Sequence, residues 1–459
     1  MKARKESVWR RTAAAIGGVV LLGTSVALGA GFAGVLDPTF GGTGVVVASG
    51  TPFAGVVAIQ QINGSERYLV AGQAAPSSPS WIVLAYTPNG SLDPTFGARA
   101  DGTVRLFNGW SAYDVSIDGQ NRVVMGGTSV FTVTTYGKNG RPTGTTNHQG
   151  LTVVRLTPDG RLDTSFNGTG IATVWAGSPA GYDELGVSAV AVPPSLGGGI
   201  LAAGSCYYAQ SPAKGRTPAQ INRRTFLAKF RDNGTLDPNF GTNGIAYDPR
   251  SSWPLRGSAR LQRDGKIVVA HHMDFVAFGN GTAETFIAAY DWVISRFSAT
   301  GQLDTTFATG GRAISSGAIV HAAKVNPADD SIVAFGDGSA AGGDGLVARY
   351  LANGALDPAF GINGYAPVTG WVNGSGSLAI QPDGRVVVCG HTLVGSVQHG
   401  FLARFAVNGS PDTSFGGTGY ADPLPGAWWL GVAEAAEGIV VSSWAEPGST
   451  FSRVARYGK

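Results

Sequence analysis

Apolar residues in this chain fall in short runs rich in Val and Ile, and Gly, Asn, Asp or Pro ends each run. Beyond the N-terminal region no long stretch returns its apolar positions with the 3.6-residue period of a helix, so the pattern predicts all-β structure. One unit reads plainly near the C-terminus. "GSLAIQPDGRVVVCG", from Gly376 to Gly390, is two short strands around a Pro-Asp-Gly turn, and "GFLARFAVNG", from Gly400 to Gly409, is a third strand and its turn. An Asp412–Phe415 segment follows, and "GTGYADPL", from Gly417 to Leu424, supplies a fourth strand.

That segment is an anchor which recurs seven times, as Gly-x-Leu-Asp-x-x-Phe-Gly-x-x-Gly. Its aspartates are Asp37, Asp93, Asp163, Asp237, Asp304, Asp357 and Asp412, and its aromatics Phe40, Phe96, Phe166, Phe240, Phe307, Phe360 and Phe415. Pro411 replaces Leu in the last copy, and Asn167 and Ala308 replace the first Gly after the Phe in the third and fifth. Four strands in each of seven units predict a seven-bladed β-propeller with four-stranded blades. The last unit stops at its third strand, "RVARYGK" from Arg453 to Lys459, while the region from about Gly34 opens on an anchor and a fourth strand. The expected ring is therefore closed by the N-terminal strand completing the last blade, which also removes exposed sheet edges.

The Gly-x-Leu-Asp-x-x-Phe-Gly units, with "QPDGRVVV"-like hairpins and "LARF"-like strands between them, resemble the delta-60 repeat family of bacterial exported proteins. The resemblance runs over nearly all of the chain after residue 34. It implies a propeller-like β fold and no established activity.

Residues 1–32 read differently. Lys2, Arg4, Lys5, Arg10 and Arg11 precede an apolar run from about Ala13 to Ala30, with small residues at Gly29 to Ala33 that suit a signal peptidase. The segment is expected to be a signal peptide or an N-terminal membrane anchor, and residues 33–459 the propeller. The product is then exported: periplasmic, secreted or cell-surface, touching a membrane only through this segment if it stays uncleaved. The segment holds five bases against Glu6, a net +4 that turns the formal +3 of the chain into −1 for the remainder. The basic balance belongs to targeting, and no nucleic-acid partner is expected. Cys206 and Cys389 are too few for a disulfide framework and are expected to be buried as small apolar residues.

Within the anchor, the Asp is expected to accept hydrogen bonds from the backbone just ahead, and the Phe to pack between blades. A base stands eight residues before most of these aspartates: Arg155, Lys229, Arg296, Arg349 and Arg404, with Arg456 in the same place at the chain's end. Ala85 breaks the rule. An ion pair from the third strand to the anchor turn is expected, and seven carboxylates repeated around the ring read as scaffold rather than as metal or catalytic sites.

Chemistry is to be sought where the repeats differ. The steps Asp93 to Asp163, Asp163 to Asp237 and Asp237 to Asp304 are 70, 74 and 67 residues, against 53 to 56 elsewhere. The excess falls between the second and third strands of three consecutive units, so long loops of blades 2–4 are expected to stand side by side on one face. Candidate ligand-binding residues are Tyr207, Tyr208, Arg216, Arg223, Arg224, His271, His272 and Phe275 in those loops. Trp110, Trp253 and Trp371 join them from the connections between blades. Adjacent His271 and His272 point to opposite sides of a strand, so no metal site is expected, and "GGTG" at Gly41 to Gly44 has no helix after it to cradle a phosphate. No cofactor and no catalytic residue is assigned. The reading is a binding or interaction scaffold for an extracellular or envelope ligand, glycan or protein. The alternatives are a propeller hydrolase or lyase acting on polysaccharide, or a purely structural surface protein.

Overall fold

The structure is a computed structural model that describes residues 33–49, 53–74, 80–108, 111–174, 184–192, 197–210, 220–251, 253–276, 286–316, 318–338, 345–370, 376–395, 397–421, 423–444 and 451–459. Its regular structure is all β, in strands numbered β1 to β28 along the chain. β1 (Val45–Ser49) has no partner next to it in sequence. Blade 1 is β2 (Phe53–Ile62), β3 (Ser65–Gln73), β4 (Ser80–Tyr86) and β5 (Thr103–Asn108). Blade 2 is β6 (Ser111–Ile117), β7 (Val123–Tyr136), β8 (Pro142–Leu156) and β9 (Ile171–Val174). Blade 3 is β10 (Glu184–Ala191), β11 (Ile200–Gln210), β12 (Gln220–Phe230) and β13 (Ile245–Ser251). Blade 4 is β14 (Trp253–Leu261), β15 (Ile267–Val276), β16 (Phe286–Phe297) and β17 (Arg312–Ser316). Blade 5 is β18 (Ile319–Val325), β19 (Ile332–Asp337), β20 (Gly345–Tyr350) and β21 (Tyr365–Val368). Blade 6 is β22 (Ser377–Ile380), β23 (Val386–Val394), β24 (Val397–Phe405) and β25 (Leu424–Pro425). Blade 7 is β26 (Trp428–Glu434), β27 (Ile439–Trp444), β28 (Phe451–Tyr457) and, across the chain ends, β1.

The register of that last pairing runs from Val45 opposite Ala455 to Ser49 opposite Phe451, antiparallel like every pairing within a blade. The first strands of the blades touch in sequence, β2 to β6 to β10 to β14 to β18 to β22 to β26, and β26 returns to β2. The molecule is a seven-bladed β-propeller. Its head and tail share one sheet, as expected.

Seven apolar layers hold the ring, one between each pair of neighbouring blades, and each contains one anchor Phe. Successive residues of a strand serve alternate layers: on β3, Leu69 and Ala71 face blade 2, while Tyr68 and Val70 face blade 7. Both faces are covered, which is why the strands read as unbroken apolar runs. All seven anchor phenylalanines are at most 1% exposed, and burial of each stabilises by roughly 1.5–3 kcal/mol.

The anchor turns stitch each blade to the next. The amide after the anchor Phe donates to a turn carbonyl of the following blade, as in Gly97 to Asp159 at 2.8 Å and Asn167 to Asn233 at 2.7 Å. The seventh such bond, Gly416 N–H to the Ala33 carbonyl at 2.9 Å, joins blade 6 to the start of the described chain. Two backbones meet so closely that the turn residue must be glycine. Gly234 has φ +85°, and a Cβ there would stand 2.6 Å from the Asn167 nitrogen.

The expected ion pairs form in the six units that carry a base at the eighth place, with Arg155 donating to Asp163 at 2.7 Å, Arg349 to Asp357 at 2.7 Å, and Lys229 reaching Asp237 at 3.2 Å. Each of these bases also lies over its anchor Phe, from 4.7 to 5.9 Å from the ring centroid. The missing base at Ala85 is replaced from the neighbouring strand: Arg67 on β3 donates to Asp93 at 2.7 Å and lies 5.1 Å from the Phe96 centroid. The position changed and the contact stayed, because β3 and β4 bring Leu69 opposite Ala85 and set Arg67 beside the same turn. Several of these arginines also donate to a carbonyl of the next blade: Arg67 to Pro158, Arg155 to Asp232, Arg296 to Ala352 and Arg456 to Pro88.

Candidate functional site

Up-and-down strand order puts the anchors and the hairpins between first and second strands on one face. The connections between second and third strands open on the other. The described extra residues of blades 2 to 4 lie there, but not as loops. They continue the strands themselves. β7 and β8 stay paired from Val123–Leu156 out to Tyr136–Pro142, β11 and β12 out to Gln210–Gln220, and β15 and β16 out to Val276–Phe286. A paired hairpin satisfies its own backbone groups while standing clear of the ring, which a loop of that length does less readily. Three consecutive ribbons therefore project from one face, and residues 211–219 and 277–285 at two of their tips lie outside the described residues.

The tip of the first ribbon is polar. Tyr136 is 65% exposed, Lys138 and Arg141 are exposed beside it, and Thr132 bonds Asn147 across the strands at 2.8 Å. On the second ribbon Tyr207 stands opposite Arg223 and Tyr208 opposite Asn222, so aromatic and basic positions share a register, and Arg224, partly exposed, follows opposite Cys206. On the third, His272 is opposite both Trp253 and Trp292, and Phe275 lies on β15 close to the tip. Trp110, Arg216 and Trp371 lie outside the described residues.

His271 is placed inside the protein rather than on the ribbon surface. It is fully buried, and its Nε2 is 2.7 Å from the Ser295 hydroxyl, which donates to Asp248 of blade 3 at 3.2 Å. Arg312 donates to the other oxygen of Asp248. The group contains a serine, a histidine and an aspartate, but the serine stands between the other two. A catalytic nucleophile needs the base between itself and the carboxylate, with an open path to substrate. This buried set ties blade 3 to blade 4 beneath the ribbons.

Across the same face, blades 5 to 7 carry a second polar group that sequence reading missed. His321 Nε2 is 3.1 Å from Asp337, and the His391 ring packs at 4.4 Å, tilted 50°, on Trp428. Burial, with His321 nearby, holds His391 below the usual imidazole range. Its neighbour Trp429 is fully buried and packs so closely on Gly400 that a Cβ there would come 2.2 Å from its Nε1. Among the described residues no group of three His, Cys, Asp or Glu side chains is placed to hold a metal ion.

The opposite face has a cleft of about 460 Å³ at the seam of blades 6 and 7, lined by Gln381, Asp383, Arg385, Arg404, Glu434 and Lys459. Its charges are paired, Arg385 with Asp412 at 3.1 Å and Lys459 with Glu434 at 2.8 Å. Both cysteines are free and buried, and burial pushes each thiol up to about 12, so neither is a thiolate near neutral pH.

With this geometry in hand, comparison with known proteins adds one family. A family model described as a domain of unknown function (DUF5122) β-propeller matches residues 144–166, 328–360 and 381–415. Each matched stretch ends on an anchor phenylalanine, Phe166, Phe360 or Phe415. The anchored unit is thus similar to the repeat of that propeller model over these three stretches. No curated protein matches the sequence. Among solved structures, Sqt1 of Chaetomium thermophilum is 12% identical with a TM-score of 0.42, over 90% of this chain and 98% of that one. A polysaccharide lyase, an ulvan lyase, is 11% identical with a TM-score of 0.45, over 90% of this chain and 96% of that one.

Proposed function

We propose that this chain is an exported binding propeller of the delta-60 repeat kind, which holds an extracellular or envelope ligand, glycan or protein, against the ribbons of blades 2 to 4. One observation carries the reading: the second-to-third-strand hairpins lengthen in three consecutive blades and on one face, as β7–β8, β11–β12 and β15–β16. Insertions tolerated at random would scatter around the ring. A paired ribbon that presents exposed Tyr136, Lys138 and Arg141, beside one whose register sets Tyr207 opposite Arg223, supports a recognition surface that is already ordered by its own ladder.

The test is a glycan and envelope-protein binding screen on residues 33–459, repeated on a variant in which residues 130–149 are replaced by Asn-Gly. That change joins Ser129 to Gly150, which already face each other, through a two-residue turn. The variant is expected to keep its thermal midpoint and to lose the ligand. Undiminished binding by a folded variant would remove the ribbon from the site.

A further inference from the structure

The first strands of the blades border the central channel, and their residues can be compared by register with the second strand. The station opposite the second apolar residue of each second strand, Leu69, Val124, Leu201, Val387 or Val440, is small in five blades: Ala58, Ser116, Ala191, Ala379 and Ala433. In blades 4 and 5 the same station holds Arg260, opposite Val268, and Lys324, opposite Val333. Two cations thus occupy neighbouring places in a ring that is otherwise lined there by small side chains.

Among the described residues the carboxylate that faces them is Asp114 of blade 2, and it is already in use. Its oxygens accept the Val115 and Val190 backbone N–H groups, each at 3.0 Å, and Arg260 Nη1 lies 3.7 Å from Oδ2. Arg260 otherwise donates only to the Ala259 carbonyl, at 2.7 Å, leaving its Nε and Nη2 without a protein acceptor among the described residues. Lys324 makes no hydrogen bond or ion pair among them. Its side chain is half-buried, yet it lies deep enough that burial, and then Arg260, push the ammonium down to about 7. Like charges brought together away from bulk water are costly unless a counter-charge joins them.

We propose that Arg260 and Lys324 form an oxyanion site in the channel, taking the carboxylate, sulfate or phosphate group of a ligand. The guanidinium offers a planar pair of donors, the ammonium a point charge, and the small residues of the other five blades leave room for the group that carries the anion. This does not rest on the ribbons of blades 2 to 4, so either reading can fail alone.

Thermal unfolding and titration calorimetry of residues 33–459 in slightly acidic buffer, at constant ionic strength, test it with acetate and with sulfate in place of chloride. At least one of the two is expected to raise the midpoint and to give a binding isotherm, and the stronger of them assigns a carboxylate or a sulfate-like group. Lys324→Met and Arg260→Met are each expected to weaken binding by about tenfold or more. Lys324→Met removes an uncompensated charge, so the free variant should fold at least as stably as the parent, and its loss of response is not misfolding. No response to either anion beyond chloride, or a response that both variants retain in full, overturns the site.

Discussion

Replacing Arg456 with Leu tests whether the seam between the chain ends is held by the same clamp as the other blades. Arg456 is 1% exposed and belongs to β28. Its Nε donates to Asp37 at 2.9 Å, Nη2 to Thr39 at 2.5 Å, and Nη1 to Tyr68 at 3.0 Å and to the Pro88 carbonyl at 2.6 Å. Leu fills much of the volume but donates nothing. Asp37, 6% exposed, then keeps only the Thr39 amide and hydroxyl, at 3.0 and 2.7 Å, as partners for its charge. Removing one member of a buried pair costs about 3–5 kcal/mol, and the lost contact with the Phe40 ring, 5.4 Å away, adds roughly 0.5–1 kcal/mol. The expected loss is about 4 kcal/mol, read as a fall in urea midpoint at unchanged m-value for residues 33–459. A second substitution separates the sources of that loss. Asp37→Asn on top of Arg456→Leu removes the stranded charge but keeps the turn bonds, and is expected to recover about half. The exposed pair Arg161–Asp159, with side chains 69% and 54% exposed, is the control, and Arg161→Ala should cost less than about 0.5 kcal/mol. A loss below about 1 kcal/mol for Arg456→Leu, or no recovery in the double variant, would show that apolar packing alone carries the seam and refute the clamp.

Two further outcomes follow from the anchors. Ala308 sits at φ +44° where most copies of the motif have glycine, and the left-handed region costs an L-residue about 1–2 kcal/mol; Ala308→Gly is expected to raise stability by roughly 1 kcal/mol after the entropy of glycine is subtracted, while Asn167→Gly, at φ +52°, should change little because Asn tolerates this region. For Asp37, Asp93, Asp163, Asp304 and Asp412, burial pushes the carboxyl up, but hydrogen bonds from the Ser or Thr two residues on and the clamp arginine outweigh it, so each pKa lies below the usual value. A carboxyl depressed in the folded state stabilises fully above its unfolded pKa of about 3.9 and loses that contribution as pH falls through the folded value. Urea midpoints should therefore vary little on this account between neutral pH and about pH 5 and fall steeply below about pH 4, and a curve that is flat to pH 2 would contradict the sign of these shifts.

The repeat was legible because each of its devices is local. A Gly-x-Leu-Asp-x-x-Phe-Gly turn, a Pro-Asp-Gly hairpin and a base eight residues ahead of the Asp each lie on one short stretch of chain, so their spacing survives in the linear string. The complementary ends were legible for the same reason, since β28 lacks a fourth strand that β1 supplies. Residues that act between blades left no such spacing. Asp248 and His271 meet across two blades, and Asp114 meets Arg260 across the channel. Their distances in sequence follow from ring closure and blade order, not from any turn. The extra residues of blades 2 to 4 likewise announced their face but not their form. Whether such a segment loops or continues its ladder depends on partners opposite each other, and register, from Val130 with Gln149 to Tyr136 with Pro142, is a property of two strands at once.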